Sequence, residues 1–248
     1  SRFGADNQTG VFPSVSLGWR MTREPFLQDQ TLFSELKPRV SYGVTGNFLI
    51  PNYGSIGLLG QSNYVLGDQI VPGGSPSTLG NSELTWETTR QLNVGLDYAL
   101  LEDRIYGAFD YYVSNTEDLL LEVNIPAVTG FTRALTNIGE VENSGFEAQI
   151  TSRNIVGNFQ WSTDFNFATN TNEVKKLGNE GDPILVNGAA GLRHITREGD
   201  AIGSYYGYEV VGIFQTQAEI DNAPEDLQGN PTPGDFQFRD VNGDGVIN

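Results

Sequence analysis

Long runs in which apolar and polar residues alternate one for one constrain this chain more than any other feature. Between Arg90 and Leu101, the residues Leu92, Val94, Leu96, Tyr98 and Leu100 share one parity, while Gln91, Asn93, Gly95, Asp97 and Ala99 share the other. Successive side chains of a strand point to opposite faces, so this run predicts a strand with one apolar face and one polar or small face. Ile105, Gly107, Phe109, Tyr111 and Val113 then alternate with Arg104, Tyr106, Ala108, Asp110 and Tyr112. The four residues Leu101-Glu102-Asp103-Arg104 between the two runs are short enough for a tight hairpin. Further on, Phe146, Ala148 and Ile150 mark one face of a strand near 141–153. Beyond Val156-Gly157-Asn158, Phe159, Trp161, Phe165 and Phe167 alternate with Gln160, Ser162, Asp164 and Asn166. The N-terminal region repeats the pattern with Val15, Leu17, Trp19 and Met21, and again with Val40, Tyr42 and Val44.

Six strands are therefore predicted, at about 11–22, 36–46, 88–101, 104–116, 140–153 and 158–172. Several match or exceed the roughly 9–11 residues that cross a bilayer obliquely. The connections near Glu102 and Gly157 are tight, whereas 47–87, 117–139 and 173–248 are long, rich in Gly, Pro, Asn and Ser, and without strong periodicity. Short turns alternating with long loops fit an outer-membrane barrel. The same alternation also describes a soluble β-sandwich, whose apolar faces meet in a core, and the pattern alone leaves both open. Helical signal is confined to the stretch around Gln217 to Leu227, which Pro224 interrupts.

Composition narrows the function. Acidic residues outnumber basic ones 31 to 14, for a net charge of −17. Nucleic acid is bound by clustered Lys and Arg, so no nucleic-acid partner is expected. No basic stripe offers attachment to anionic lipid. The opening SRFGADNQTG lacks a basic segment followed by an apolar one, and no run of about 18 apolar residues marks a membrane helix. A membrane role is then open only to a closed barrel of strands. The absence of cysteine fits an exported bacterial protein of this size without requiring one.

A set of short motifs in one order carries a resemblance. They are Ser1-Arg2-Phe3-Gly4, Phe12-Pro-Ser-Val-Ser-Leu-Gly-Trp19-Arg20, and Leu36-Lys-Pro-Arg-Val-Ser-Tyr-Gly-Val-Thr-Gly-Asn47. Leu79-Gly-Asn-Ser-Glu-Leu-Thr-Trp86-Glu87 and Asp110-Tyr111-Tyr112 follow. Then come Asn137-Ile-Gly-Glu-Val-Glu-Asn-Ser-Gly-Phe-Glu147, Gly203-Ser-Tyr-Tyr-Gly-Tyr208 and Asp240-Val-Asn-Gly-Asp-Gly245. Together they resemble the barrel of SusC/RagA-type TonB-dependent transporters. The resemblance implies an all-β fold, a segment of an antiparallel transmembrane barrel of about 22 strands that a plug fills. It also implies import of oligosaccharides or peptides across the bacterial outer membrane, with energy passed through TonB and a SusD-type surface lipoprotein as lid. The plug and the segment that meets TonB have no counterpart in residues 1–248, so TonB would act through a region outside them. A soluble, secreted, calcium-dependent carbohydrate-binding β-sandwich module is the alternative that the same strands and loops allow.

Asp240-Val-Asn242-Gly-Asp244-Gly245-Val246-Ile-Asn248 matches nine positions of a calcium loop. Oxygens at alternate positions wrap a hard cation, and glycine at the sixth position permits the sharp turn. Asp240, Asn242, Asp244 and the Val246 carbonyl are the candidate ligands, and an ordinary Asp/Asn/Gly surface turn has the same composition. His194 is the sole histidine, and no Gly-x-Ser-x-Gly elbow accompanies it, so a catalytic role is not expected. Gly54, Gly57 and Gly60 lack the Lys-Ser/Thr ending of a phosphate loop and read as a flexible loop. Tyr205, Tyr206 and Tyr208, like Trp19, Trp86 and Trp161, suit interfacial or packing roles better than a substrate platform. In a barrel, Leu92, Leu96, Phe109, Phe159 and Trp161 face lipid. The turns near Glu102 and Gly157 would then lie at the periplasmic rim, with 47–87 and 117–139 outside.

Overall fold

A computed structural model describes residues 2–178, 181–188, 193–226 and 229–247. Ser1, Leu227 and Asn248, which belong to the first motif, the predicted helix and the Asp-rich run, lie outside them. Two compact units emerge, residues 1–184 with 196–202, and residues 185–195 with 203–248.

The first unit is built on one six-stranded antiparallel sheet. Its strands, in spatial order, are β1 (Ser14–Gly18), β2 (Phe33–Asn47), β5 (Glu87–Leu100), β6 (Ile105–Glu117), β9 (Glu140–Ile155) and β10 (Trp161–Lys176). Two hairpins stand in the long connections: β3 (Leu59–Leu66) with β4 (Gln69–Pro76), and β7 (Leu120–Asn124) with β8 (Arg133–Asn137). The 47–87 and 117–139 segments thus contain paired strands, where the sequence suggested irregular loops. The β3–β4 strands lack a buried face, so alternation had nothing to mark, and the five-residue strands β7 and β8 are too short to show it. The strand expected at 11–22 is regular only over Ser14–Gly18. Val44 N–H donates to the Pro13 carbonyl and Trp19 N–H to the Pro38 carbonyl, extending the pairing one residue each way. Pro38 has no N–H to return to Trp19, and the chain turns there into two 3-10 turns at Met21–Arg23 and Pro25–Leu27.

The register aligns the parities read from sequence into continuous faces. One row runs Pro38, Leu96, Phe109, Ala148 and Phe167; the next runs Leu17, Val40, Val94, Tyr111 and Phe146. Tyr98 stacks on Phe109 at 5.1 Å between ring centroids, and Phe109 on Phe146 at 6.1 Å. This apolar face is largely uncovered by protein: Leu92, Val94, Tyr111, Phe165 and Phe167 are all exposed. The two hydrophobic clusters sit instead at the rim of the long connections. One joins Phe3, Ile50 and Leu84 with Trp86, Leu120 and Leu135; the other joins Val141, Val174 and Leu177. Among the described residues no inter-sheet core forms on the apolar face, as a β-sandwich would require. Leu92, Leu96 and Phe109 share its parity; Trp161 lies past a register shift, opposite Ile155, and Phe159 falls in the turn before β10 rather than on a strand.

All three short-rim connections, 19–32, 101–104 and 156–160, lie at one rim, and 48–86 and 118–139 at the other. The tightest turn holds Leu101, Glu102 and Asp103 all left-handed, at φ 54°, 56° and 61°. Such residues cost roughly 1–2 kcal/mol each. Leu101 N–H to Leu32 O (2.9 Å), Arg104 N–H to Leu100 O (3.0 Å) and Asp103 N–H to Ser34 Oγ (3.2 Å) hold them in place.

The second unit uses much shorter strands, so the 173–248 region too is not irregular throughout. β11 (Ile184–Asn187), β12 (Arg193–Thr196) and β13 (Ser204–Tyr206) form one small sheet. β14 (Val210–Ile213) pairs with β16 (Phe236–Phe238), and β15 (Glu225–Asp226) with β17 (Val246–Ile247). The helical stretch is a single turn, α1 (Gln217–Asp221).

Candidate functional site

The face of the sheet opposite the apolar one carries the polar chemistry. Arg39, Gly95, Asp110 and Glu147 stand in one cross-strand row over β2, β5, β6 and β9. Gly95 places no side chain in the row, and Arg39 reaches across it. Arg39 Nη2 meets Asp110 Oδ2 at 2.6 Å, Nε meets Asp97 Oδ1 at 2.9 Å, and Nη1 donates to Asn93 Oδ1 at 3.4 Å. A Cβ on residue 95 would lie 2.6 Å from Arg39 Cζ, so any larger residue there makes the guanidinium shift. Lys37 adds a second cation on Asp97 at 3.2 Å. Other rows of this face are tied across strands in the same way, with Thr151 Oγ1 donating to Asp164 (2.7 Å) and Tyr112 OH to Asn170 (3.0 Å). This surface is polar and cross-linked by ion pairs, which suits a water-filled interior more than a core. The sequence displayed its parity, but not the reach of Arg39 over two strands. The available signal was a lone glycine between an arginine and an aspartate at matching parity.

Above the apolar band, the same outward parity turns charged. Arg90 pairs with Glu117, and Lys175 bridges Glu142 (3.3 Å) and Glu173 (2.8 Å). An apolar band closed at one end by a charged belt is how a strand leaves hydrocarbon for headgroups.

Trp86 anchors the long-connection rim. Its ring meets Phe3, Phe12 and Phe48 at 5.2–5.4 Å between centroids, and its Nε1–H donates to Asn7 O. Trp19 donates to Glu24 Oε1 at the other rim and packs near Phe26. Tyr208 packs on Phe238, while Tyr205 is exposed beside His194. His194 Nδ1 lies 3.0 Å from the Gly203 carbonyl.

The structure brings Asp240, Asn242 and Asp244 together in one loop. Asp240 accepts Gly243 N–H and Gly245 N–H, both at 2.7 Å, one on each carboxylate oxygen. Asn242 Nδ2 donates to Asp244 Oδ2 at 2.9 Å, and Val246 N–H donates to Asp244 Oδ1 at 2.9 Å. Gly245 is left-handed at φ 87°, the conformation that the sixth position of a calcium loop needs. Val246 itself lies in β17, paired with Glu225. Among the described residues, no three His, Cys, Asp or Glu side chains converge as a metal cage; this loop offers two acids and an amide.

A sheet with one uncovered apolar face, a charged belt and one paired polar face defines the wall of an outer-membrane β-barrel. The family model described as "TonB dependent receptor-like, beta-barrel" matches residues 1–235, and the chain belongs to that family. It is 41% identical over its full length to TonB-dependent receptor P3 of Formosa agariphila. It is 36% identical over 94% of its length to TonB-dependent receptor SusC of Bacteroides thetaiotaomicron. Among solved structures, the RagAB peptide importer in its closed-closed state superposes over 96% of the chain with a TM-score of 0.78 at 28% identity. It covers 26% of that chain. The barrel segment is thus of the SusC/RagA type and its place is the outer membrane. The chain spans 25% of the length of P3 and 24% of SusC.

Proposed function

We propose that the protein to which this wall belongs imports nutrients, oligosaccharides or peptides, across the outer membrane with energy delivered through TonB. The carrying observation is the wall's two-sidedness: an apolar face open to lipid backs a polar face on which Arg39 and Lys37 pair Asp97 and Asp110. Such a lumen lets a polar solute pass without meeting an unpaired row of acids. The long-connection rim faces the outside, where a SusD-type lipoprotein docks as lid, and the short-turn rim faces the periplasm. The cargo leaves chemically unchanged, and no nucleic acid is bound.

Uptake in cells carrying the full-length gene tests this reading. Maltoheptaose and a tryptic peptide mixture, offered separately, should be depleted in a TonB-dependent manner by one or both routes. Depletion that persists without TonB, or without the gene, defeats the reading. Residues 1–248 contain no cysteine, so in a full-length background cleared of any others, single cysteines here assign the rims. Val65→Cys, in the exposed β3–β4 hairpin, should react with an impermeant maleimide on intact cells, and Asp103→Cys only after lysis.

A second reading concerns the Asp240 loop, which we infer binds calcium. Asp240, Asn242 and Asp244 would hold the ion with the Val246 carbonyl, and the ion would replace the amide of Asn242 as the group that balances Asp244. The left-handed Gly245 and the Asp240 carboxylate seated on two amides support it. Calorimetric calcium titration of the intact protein, set against Asp244→Ala, tests it: equal heats in the two defeat calcium binding.

A further inference from the structure

Between the base of the β3–β4 hairpin and the β7–β8 hairpin lies a cavity of about 400 Å³. That is within the usual size for a small-ligand pocket. Residues 130–135 form one wall, and 51–54 with 76–79 form much of the rest. The hydrogen-bond pattern fixes which edge of β8 this wall presents. Ile125 N–H donates to Thr132 O at 3.1 Å, and Ile138 N–H donates to Leu119 O at 2.9 Å. Those two pairs frame the hairpin register, in which Val123 faces Ala134 and Leu121 faces Thr136. Antiparallel ladders alternate bonded and non-bonded pairs, so residues 134 and 136 spend their main-chain groups on β7. Arg133 and Leu135 turn theirs to the opposite edge. The Leu135 carbonyl is met there by Asn81 Nδ2 at 3.2 Å, which confirms the direction. The N–H and C=O of Arg133 turn to that same edge, and Arg133 itself lines the cavity.

Two aromatic residues, Tyr53 and Phe131, also line the cavity. Tyr53 is held left-handed at φ 65°, a conformation uncommon for a bulky residue and often found where a ligand is gripped. Arg133 and Glu122 complete the lining with a loose ion pair at 3.4 Å, both side chains more than 60% exposed.

We propose that this cavity is a peptide subsite, in which an extended main chain adds to the free edge of β8 at Arg133. Strand addition reads main-chain N–H and C=O groups at a two-residue period, which a peptide has and a sugar lacks. One ligand side chain rests against Tyr53 and Phe131, where aromatic faces contribute contact beyond area alone. The proposal deepens the import reading and rests on the long-connection rim facing outside.

The test uses the full-length transporter in detergent, with Ac-Ala-Phe-Ala-NH2 as probe in calorimetry. Arg133→Pro deletes the outward N–H at a position where the ladder does not use it, a placement that edge strands tolerate. Arg133→Ala removes the side chain and keeps that donor. Arg133→Pro should weaken binding by about tenfold, the scale of one main-chain hydrogen bond, and Arg133→Ala should change it by less than about threefold. The probe N-methylated at its amides should lose binding to the unaltered protein in the same way, which keeps the test decisive if Arg133→Pro fails to fold. Equal affinity for the methylated and unmethylated probes overturns the proposal, as does binding of maltotriose that depends on Arg133 N–H. TonB-dependent uptake measured in parallel separates the two readings. Uptake with no edge-dependent peptide binding sinks the subsite alone, whereas loss of TonB dependence sinks the import reading whatever the calorimetry shows.

Discussion

The six-stranded wall and the C-terminal unit come from one chain but follow different rules. Apart from β1, the wall strands run for 13 to 16 residues, and each contributes one apolar and one polar parity to shared faces. In the C-terminal unit, strands of two to four residues carry no parity worth reading. Local turn chemistry shapes it instead. Asp235 accepts both Thr232 N–H (2.8 Å) and Thr232 Oγ1–H (2.9 Å), which together hold its carboxyl below the usual carboxylate range. Asp240 organises its loop in a similar way, by accepting two amides. The lesson is about where specification sits. A long strand spreads it over a dozen side chains and a solvent on each face, whereas a short one concentrates it in one or two polar side chains.

If the wall is two-faced, a charge placed on its apolar side should be far costlier than the same charge opposite. Leu96→Arg, mid-band in the Pro38–Phe109 row, should destabilise the full-length protein in lipid vesicles by about 2–4 kcal/mol, the scale for a cation at bilayer mid-depth. Gln91→Arg, of the other parity on the same strand, should cost under about 1 kcal/mol. Urea midpoints at constant slope make the comparison. Equal costs would erase the distinction between the faces.

The polar face should show its own, smaller dependence on Arg39. Arg39→Ala leaves Asp97 with Lys37 alone and Asp110 without its cation. The side chains are partly solvated, so screening keeps the loss to about 1–3 kcal/mol rather than the larger cost of a sealed pair. Gly95→Ala should cost a similar amount, because its Cβ displaces the guanidinium. The double variant should then cost clearly less than the sum, since both changes break one arrangement. Additive costs would mean that Gly95 matters for some reason other than the crossing.

What could be read from the sequence follows the same division. The faces of β5, β6 and β9 were legible because Leu92 to Leu100, Ile105 to Val113 and Phe146 to Ile150 each repeat at period two. Phe159 was misplaced because its parity matched a strand that starts only at Trp161. The β3–β4 hairpin was illegible because Leu59, Val65, Leu66 and Ile70 are exposed and leave no apolar–polar contrast, and the five-residue strands of β7–β8 are too short to show a period. The Arg39 crossing and the cavity beside β8 depend on register between strands far apart in sequence, and a single chain does not print its register. The Asp240 loop was visible because its side chains are local, gathered within the seven residues from Asp240 to Val246.

Calcium sharpens the comparison from the side of the C-terminal unit. A site of extracellular type, with a dissociation constant of about 0.1–1 mM, should stabilise its unit by roughly 0.4–1.4 kcal/mol at about 1 mM calcium. Amide exchange in residues 236–247 should slow by the corresponding factor, and Asp244→Ala should abolish the response. Wall amides, for example at Leu96 and Phe109, should not respond. A calcium effect spread evenly over both regions would mean that the ion acts elsewhere than in this loop.

The smallest effect tests whether turn chemistry alone sustains structure in that unit. Thr216 and Glu219 surround α1 as a capping pair: Thr216 Oγ1 accepts Glu219 N–H at 3.3 Å, and Glu219 Oε2 accepts Gln215 N–H at 2.8 Å. The sequence Thr216-Gln-Ala-Glu219 carries this signature, although the return bond reaches one residue further back than a strict capping box would. A five-residue helix has little propagation to repay its nucleation, so the caps carry most of its stability. Thr216→Ala should therefore weaken the turn by about 0.5–1 kcal/mol, seen as about twofold to fivefold faster exchange at the Glu219 amide. Thr216→Ser should restore it, because serine keeps the accepting oxygen. The urea midpoint of the whole protein should not move, since the turn opens on its own well below global unfolding. A shift of the global midpoint would show that α1 is coupled to the rest of the fold more tightly than five largely exposed residues and two caps allow.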